Sequence, residues 1–118
     1  MPYELDAPEG FWKLGPVAKS AICNGMGAKD SRLSRFIPNS MLFLDVKEAA
    51  DIHDYMYHVG TTIEDKKDAD RYFLINLLKI INDAGGLLAF PRRCIALKYY
   101  EAVHYGGEAA FYKGKLNV

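Results

Sequence analysis

The segment "TTIEDKKDADRYFLINLLKIINDAGG", residues 61–86, constrains the fold most, because its pattern is that of one long helix. Thr61 or Thr62 can cap its N-terminus, acidic residues follow in the first turn, and Gly85 with Gly86 can end it. Apolar residues recur at helical spacing along one face: Phe73, Leu74, Leu77 and Ile81. The segment therefore predicts a helix over residues 63–84.

Two further segments with the same period flank this helix. In residues 45–59, one face collects Val46, Ala49, Ala50, His53, Met56 and Tyr57. Asp45 can cap this segment and Gly60 can end it. Residues 91–105 carry Pro91 in the first turn and stop before Gly106 and Gly107. Their apolar stripe contains Ile95, Ala96, Tyr99, Ala102 and Val103. We predict helices over both ranges.

The N-terminal part of the chain has no sustained period. Glycines interrupt residues 1–31, which predicts loops with one short helix near residues 17–23. The apolar run at residues 41–44 predicts a short strand or extended segment before the cap at Asp45. The expected fold is mainly α, in a single domain over residues 1–118. Two antiparallel core helices and a third helix follow a loop-rich N-terminal part with at most a short strand or hairpin.

Composition removes several classes of function. Fifteen basic and fifteen acidic side chains balance, so no nucleic acid is expected as a partner. The sequence shows no signal-peptide pattern and no membrane-spanning apolar run, which predicts a cytoplasmic or virion-associated protein, or export by a non-classical route. Two cysteines are too few for a disulfide framework. A single bridge between Cys23 and Cys94 stays open as an alternative, but two free thiols are expected, with Cys94 buried. Composition leaves the oligomeric state undetermined.

Two titratable groups interrupt the apolar faces of the first two core helices. His53 shares a face with small apolar residues, and Asp70 shares one with Phe73 and Leu77. A buried carboxylate requires a partner, and His53 is the histidine on the neighbouring inward face. We expect Asp70 to bind one ring nitrogen of His53 and to leave the other facing a cleft, as in the base and its orienting group at a catalytic site.

Asp54 lies about 100° around the helix from His53, so it cannot serve the same partner. It is expected at the edge of the cleft. Hard cations such as calcium bind carboxylate and backbone carbonyl oxygens, and glycine-rich turns expose their carbonyls. The turn "CNGMG", with Gly25 and Gly27, could supply these carbonyls.

"DVKEAADIHDYMY" followed by "DADRYF" resembles the phospholipase A2 superfamily, and in particular its short, disulfide-poor viral and bacterial members. The shared pattern is a His-Asp pair, a tyrosine four residues after the histidine, small residues one turn before it, and an Ala-Asp pair in the second helix. The resemblance covers residues 23–78. Its departures are the missing disulfides and the long interval between Gly27 and His53. The second candidate for the calcium loop, "IPNS" at residues 37–40, lies closer to His53.

The resemblance implies an enzyme of lipid degradation that hydrolyses glycerophospholipid acyl esters and requires calcium. It assigns the role of general base on water to His53 and that of orienting group to Asp70. Tyr57 is expected to bind Asp70. Asp54 would bind calcium together with the carbonyls of Gly25 and Gly27. The partner would be phospholipid or a membrane surface.

Two other readings stay open. The same segment resembles small phage-encoded and prophage-encoded proteins of unknown function that share a His-Asp-Tyr helix, which would make the chain a non-enzymatic structural or interaction protein with an inert buried ion pair. A His-Asp phosphohydrolase would need further histidines upstream, and none precedes His53.

The remaining charged and histidine side chains are interpreted as surface groups. His58 and His104 are expected at solvated helix edges. Four cations are expected on exposed faces, where they could meet lipid phosphates: Lys66, Lys67, Arg92 and Arg93.

Overall fold

The computed structural model describes residues 4–23, 40–112 and 115. This part of the chain contains six helices and one two-stranded hairpin. In chain order the elements are α1 (Glu9–Trp12), α2 (Pro16–Cys23), β1 (Ser40–Met41), β2 (Leu44–Asp45), α3 (Lys47–Val59), α4 (Ile63–Ala84), α5 (Ala89–Gly106) and α6 (Glu108–Tyr112). The mainly helical fold with two packed core helices is confirmed.

The central helix α4 occupies the range predicted for it, for the expected reasons. The side chain of Thr62 accepts from the backbone N–H of Asp65, and the Asp65 carboxylate accepts from the N–H of Thr62. This reciprocal pair is a capping box, which satisfies backbone donors that a helix start leaves unpaired. Gly85 ends the helix with φ at +60°, a conformation that glycine adopts without steric cost.

Helix α4 packs against α3 on one side and α5 on the other. Its buried face carries the predicted apolar residues Phe73, Leu77 and Ile81, all without exposed surface. They meet Ala49 and Ile52 of α3, and Ala96 and Val103 of α5, in one core cluster. Burial of large side chains of this kind contributes about 1.5–3 kcal/mol each, so this core is the main source of stability.

The chain between α3 and α4 is short and packs closely against neighbouring residues. A Cβ atom on Gly60 would lie 2.9 Å from the Met56 carbonyl oxygen and 2.9 Å from the ring of Phe111. Glycine is therefore required here for space. The close approach brings α6 over the end of α3, where Phe111 is fully buried.

The N-terminal segment is attached to α4 by a buried amide. Asn76 accepts from the Asp6 N–H at 2.6 Å and donates to the Asp6 carbonyl oxygen at 2.8 Å. Leu5 and Phe11 of the same segment are buried. The short helix predicted near residues 17–23 is present as α2, and α1 was not predicted.

The predicted extended segment before α3 is a hairpin. β1 pairs antiparallel with β2, with Met41 opposite Leu44. The two turn residues between them, Leu42 and Phe43, have φ of +45° and +68°. Arg92 donates to the Leu42 carbonyl oxygen from Nη2 at 2.6 Å and from Nε at 3.2 Å, and so holds the turn against α5.

We expect Phe43→Gly to raise the free energy of unfolding by about 0.5–1 kcal/mol. A left-handed backbone costs a bulky residue about 1–2 kcal/mol, and part of that gain is offset by the greater freedom of glycine in the unfolded chain. Phe43 is 96% exposed, so little packing is lost. Urea denaturation of Phe43→Gly beside Phe43→Ala, which keeps the strain, measures the effect. Equal stability of the two variants would contradict a strained turn.

Candidate active site

The site is centred on a contact between the middle of α3 and the first half of α4. His53 Nε2 lies 2.8 Å from Asp70 Oδ1, and both side chains are completely buried. The small residues Ala49 and Ala50 stand one turn before His53 on α3 and let the two helices approach. The expected pairing of His53 with Asp70 is present.

Tyr57 is a second hydrogen-bond donor to the same oxygen atom of Asp70. Its hydroxyl donates to Asp70 Oδ1 at 2.7 Å. A Cβ on Gly107 would lie 2.6 Å from that hydroxyl, so the glycine between α5 and α6 leaves room for the tyrosine. Burial, and then the charge of Asp70, raise the pKa of Tyr57, which keeps it a hydrogen-bond donor. The structure thus brings together the three catalytic residues predicted from the sequence.

Lys66 is the member of the site that the sequence interpretation missed. It was expected on an exposed face, but it is 2% exposed and its ammonium lies 2.7 Å from Asp70 Oδ2. The same Nζ donates to the carbonyl oxygens of Val103 at 3.1 Å and His104 at 3.2 Å, in the last turns of α5. Its position four residues before Asp70 is the signal that could have found it.

The four buried groups form a charge-balanced unit. Burial opposes ionisation of Asp70, but the hydrogen bonds from His53, Lys66 and Tyr57 outweigh it and hold the pKa of Asp70 below its usual value. Burial lowers the pKa of His53 despite its bond to Asp70. The ammonium of Lys66 already neutralises the carboxylate, and a second cation on the imidazole would be uncompensated. His53 is therefore neutral and donates Nε2–H to Asp70.

The second nitrogen of His53 has no hydrogen-bond partner among the described residues. Nδ1 is buried, and the ring lies between Tyr57 and Phe73 with centroid distances of 4.2 and 4.9 Å. The expectation that this nitrogen faces an open cleft is wrong, because His53 is packed in the core and has no exposed surface. Water or substrate reaches Nδ1 only if neighbouring side chains move.

Asp54 lies outside this unit, as its position on the helix predicts. It is half-buried, and burial together with the nearby charge of Asp51 raises its pKa to about 7. Asp51 itself pairs with Lys47 at 2.7 Å. A bound cation would stabilise the charged form of this carboxylate. Calcium binds carboxylate oxygens, so Asp54 is chemically suited to be a calcium ligand. Gly25 and Gly27 lie outside the described residues, and so do residues 37–39 of the alternative loop, whose last residue, Ser40, begins β1.

Within residues 4–23 and 40–112, no cluster of three or more His, Cys, Asp or Glu side chains is arranged to hold a metal ion. In the same part of the chain, every helix is too short or too polar to traverse a bilayer. Neither finding concerns the backbone carbonyls that the calcium hypothesis needs.

Comparison with known proteins does not assign the chain to a family. No family model, curated protein or solved structure matches the chain. The function is therefore argued from the His53–Asp70 unit itself.

Both cysteines are free, as expected, but Cys94 is exposed and not buried. Its neighbours Ile95 and Ala96 turn toward the core, which leaves position 94 on the outer face of α5. Cys23 is buried and bonds the Asp51 carbonyl oxygen at 3.3 Å. Burial and the neighbouring carboxylates raise the pKa of Cys23 to about 12, so its thiol is unreactive.

Of the five other surface predictions, three are confirmed and two differ in the structure. Lys67 and Arg93 are exposed as expected, and so is His58. Arg92 is 8% exposed because its guanidinium reaches inward to the hairpin turn. His104 is half-buried and its ring stacks on Tyr100 at 5.4 Å.

Proposed function

We propose that the chain hydrolyses phospholipid acyl esters, with His53 as the general base. The observation that supports this most is the state of the imidazole. Asp70 holds Nε2 while the lone pair of Nδ1 has no partner among the described residues. A neutral, oriented imidazole with one free nitrogen is the form that accepts a proton from water.

In the proposed reaction, Nδ1 takes a proton from a water molecule as its oxygen attacks the ester carbonyl carbon. The resulting imidazolium keeps its Nε2–H bond to Asp70, and the negative charge that develops on the ester carbonyl oxygen balances its positive charge. Breaking the ester bond releases the fatty acid, and the proton on Nδ1 passes to the departing alkoxide of the lysophospholipid. Tyr57 and Lys66 keep the Asp70 carboxylate from rotating throughout, because each oxygen of the carboxylate has its own donor.

Calcium is part of this proposal through Asp54. The carboxylate of Asp54 would bind the ion, with backbone carbonyls of Gly25 and Gly27 as the proposed further ligands. When bound, calcium supplies a positive charge that stabilises negative charge on the ester carbonyl oxygen. Burial and then the charge of Asp51 raise the pKa of Asp54, and a bound cation would favour its charged form, which supports this assignment.

The burial of His53 supports a second candidate. A histidine with no exposed surface, packed between Tyr57 and Phe73, also suits a polar anchor in a non-enzymatic phage or prophage structural protein. In that case the four-residue unit specifies how α3, α4 and α5 pack, and it catalyses nothing. Replacement of His53 would then change stability and no turnover would exist to lose.

Fatty acid release from phosphatidylglycerol and phosphatidylcholine vesicles separates the candidates. We expect release in calcium, loss of release with a chelator, and a fall of about 100-fold or more in Asp54→Asn. Asp68→Asn is the matched control, because Asp68 is a partly exposed carboxylate on α4 that pairs with Arg71. Equal, background rates in all samples would overturn the enzymatic proposal, and equal rates with and without chelator would remove calcium from it.

A further inference from the structure

The outer face of α5 is unusually apolar for a helix surface. Phe90 is 72% exposed, Leu97 51% and Tyr105 81%, and Cys94 is exposed between them. At about 100° per residue, these four side chains fall within an arc of about 80° along one side of the helix. Single exposed apolar residues are normal, but a continuous stripe of them marks a surface that is covered by a partner.

Two opposite charges are placed symmetrically about Leu97 on this side of α5. Arg93 and Glu101 stand four residues before and four residues after Leu97, and both are exposed. Arg93 donates to Asn82 Oδ1 at 3.0 Å. Within the part of the chain that the structure describes, neither takes part in an ion pair.

We propose that α5 binds α5 of a second copy of this chain, antiparallel, with a two-fold axis at Leu97. Such an axis brings positions equally far before and after Leu97 to the same level of the helix pair. Arg93 of each copy then lies level with Glu101 of the other, which gives two identical ion pairs. Phe90 lies level with His104 and next to Tyr105 of the second copy, so the aromatic ends of the stripe cover each other.

The charges favour a second copy over a lipid surface. Glu101 projects from the same arc as Phe90, Leu97 and Tyr105, so insertion of this face among acyl chains would bury a carboxylate without a partner. A two-fold partner supplies that carboxylate with Arg93. The charges on this face of α5 are complementary to the charges on the same face of a second copy. An unrelated partner would have no reason to match them.

Charge exchange tests the proposed dimer. The mass of the protein, measured by sedimentation equilibrium from about 1 to about 200 µM, should rise from monomer to dimer. Arg93→Glu and Glu101→Arg alone should each weaken dimerisation about tenfold or more. Each places two like charges opposite each other at the same level of the helix pair. The double exchange should restore it. Positions 93 and 101 lie beyond the first and last turns of α5, so neither substitution sets an unfavourable charge against the helix dipole, and helix loss would not explain a weaker dimer.

Lys67→Glu is the matched control, since Lys67 is an exposed cation on α4 away from the stripe. It should leave the dimerisation constant unchanged. A wild-type protein that stays monomeric over the whole range overturns the proposal. So does a dimer that ignores the single exchanges, or one that the double exchange fails to restore. None of these outcomes depends on whether the chain hydrolyses phospholipid.

Discussion

Lys66→Met is expected to lower the free energy of unfolding by about 3–5 kcal/mol, the largest stability effect of any single substitution in the site. The ammonium of Lys66 is the counter-charge of a fully buried carboxylate and also binds two carbonyl oxygens at the end of α5. Its removal leaves Asp70 Oδ2 charged and unpaired in the core. The carbonyls of Val103 and His104 lose the same donor.

Urea denaturation at neutral pH measures this loss, with Lys67→Met as the neighbouring exposed control. The control should stay within about 0.5 kcal/mol of wild type. The pair Lys66→Met with Asp70→Asn should recover about 1–3 kcal/mol relative to the sum of the two single losses, because the double variant leaves no uncompensated charge. A Lys66→Met protein within about 1 kcal/mol of wild type would show that the ammonium does not balance Asp70.

His53→Gln is expected to have the largest effect on activity, a fall of about 10²–10⁴-fold in the rate of phospholipid hydrolysis. Glutamine can donate from its amide to Asp70 Oδ1, so the helix contact can be kept. The amide has no basic nitrogen at neutral pH and cannot take a proton from water. The rate of fatty acid release, normalised to folded protein by near-ultraviolet circular dichroism, measures the change.

The control for this variant is His58→Gln on the same helix. His58 is exposed and lies outside the Asp70 unit, so its replacement should leave the rate within about twofold of wild type. A folded His53→Gln protein with the wild-type rate would exclude His53 as the base. If the variant loses stability and wild type shows no turnover, the structural candidate stands instead.

Most of the helical core could be predicted, because the sequence signals that define each long helix lie within or next to that helix. The period of apolar residues, the cap at Thr62 and the stop at Gly85 define α4 within the chain itself. α5 begins at Ala89, two residues before the predicted start, because Pro91 still falls within the first turn and needs no intrahelical partner for its missing N–H.

The short helices α1 and α6 could not be predicted in the same way. Four and five residues are too few to show a period, and isolated helices of this length are unstable. Each is placed by one buried aromatic side chain, Phe11 in α1 and Phe111 in α6. Their formation depends on contacts with distant parts of the chain.

In the site, the pairing of His53 with Asp70 followed from helical spacing on two neighbouring helices, and the bond from Tyr57 to Asp70 was what the resemblance implied. The role of Lys66 did not, because two of its acceptors are carbonyl oxygens on α5, 37 and 38 residues away in sequence. The complete burial of His53 was missed for a related reason. Phe73 and Tyr57 both pack against the imidazole ring, and such contacts depend on side-chain orientation as well as on helix phase.

The proposed hydrolysis depends on which nitrogen of the His53 imidazole is protonated, and ¹⁵N NMR of the histidine rings measures this directly. Burial lowers the pKa of His53 below its ordinary value of about 6.5, so the neutral ring should predominate at pH 7. We predict an unprotonated Nδ1 and a protonated Nε2 at pH 7. A ring protonated on Nδ1, alone or on both nitrogens, would contradict the account.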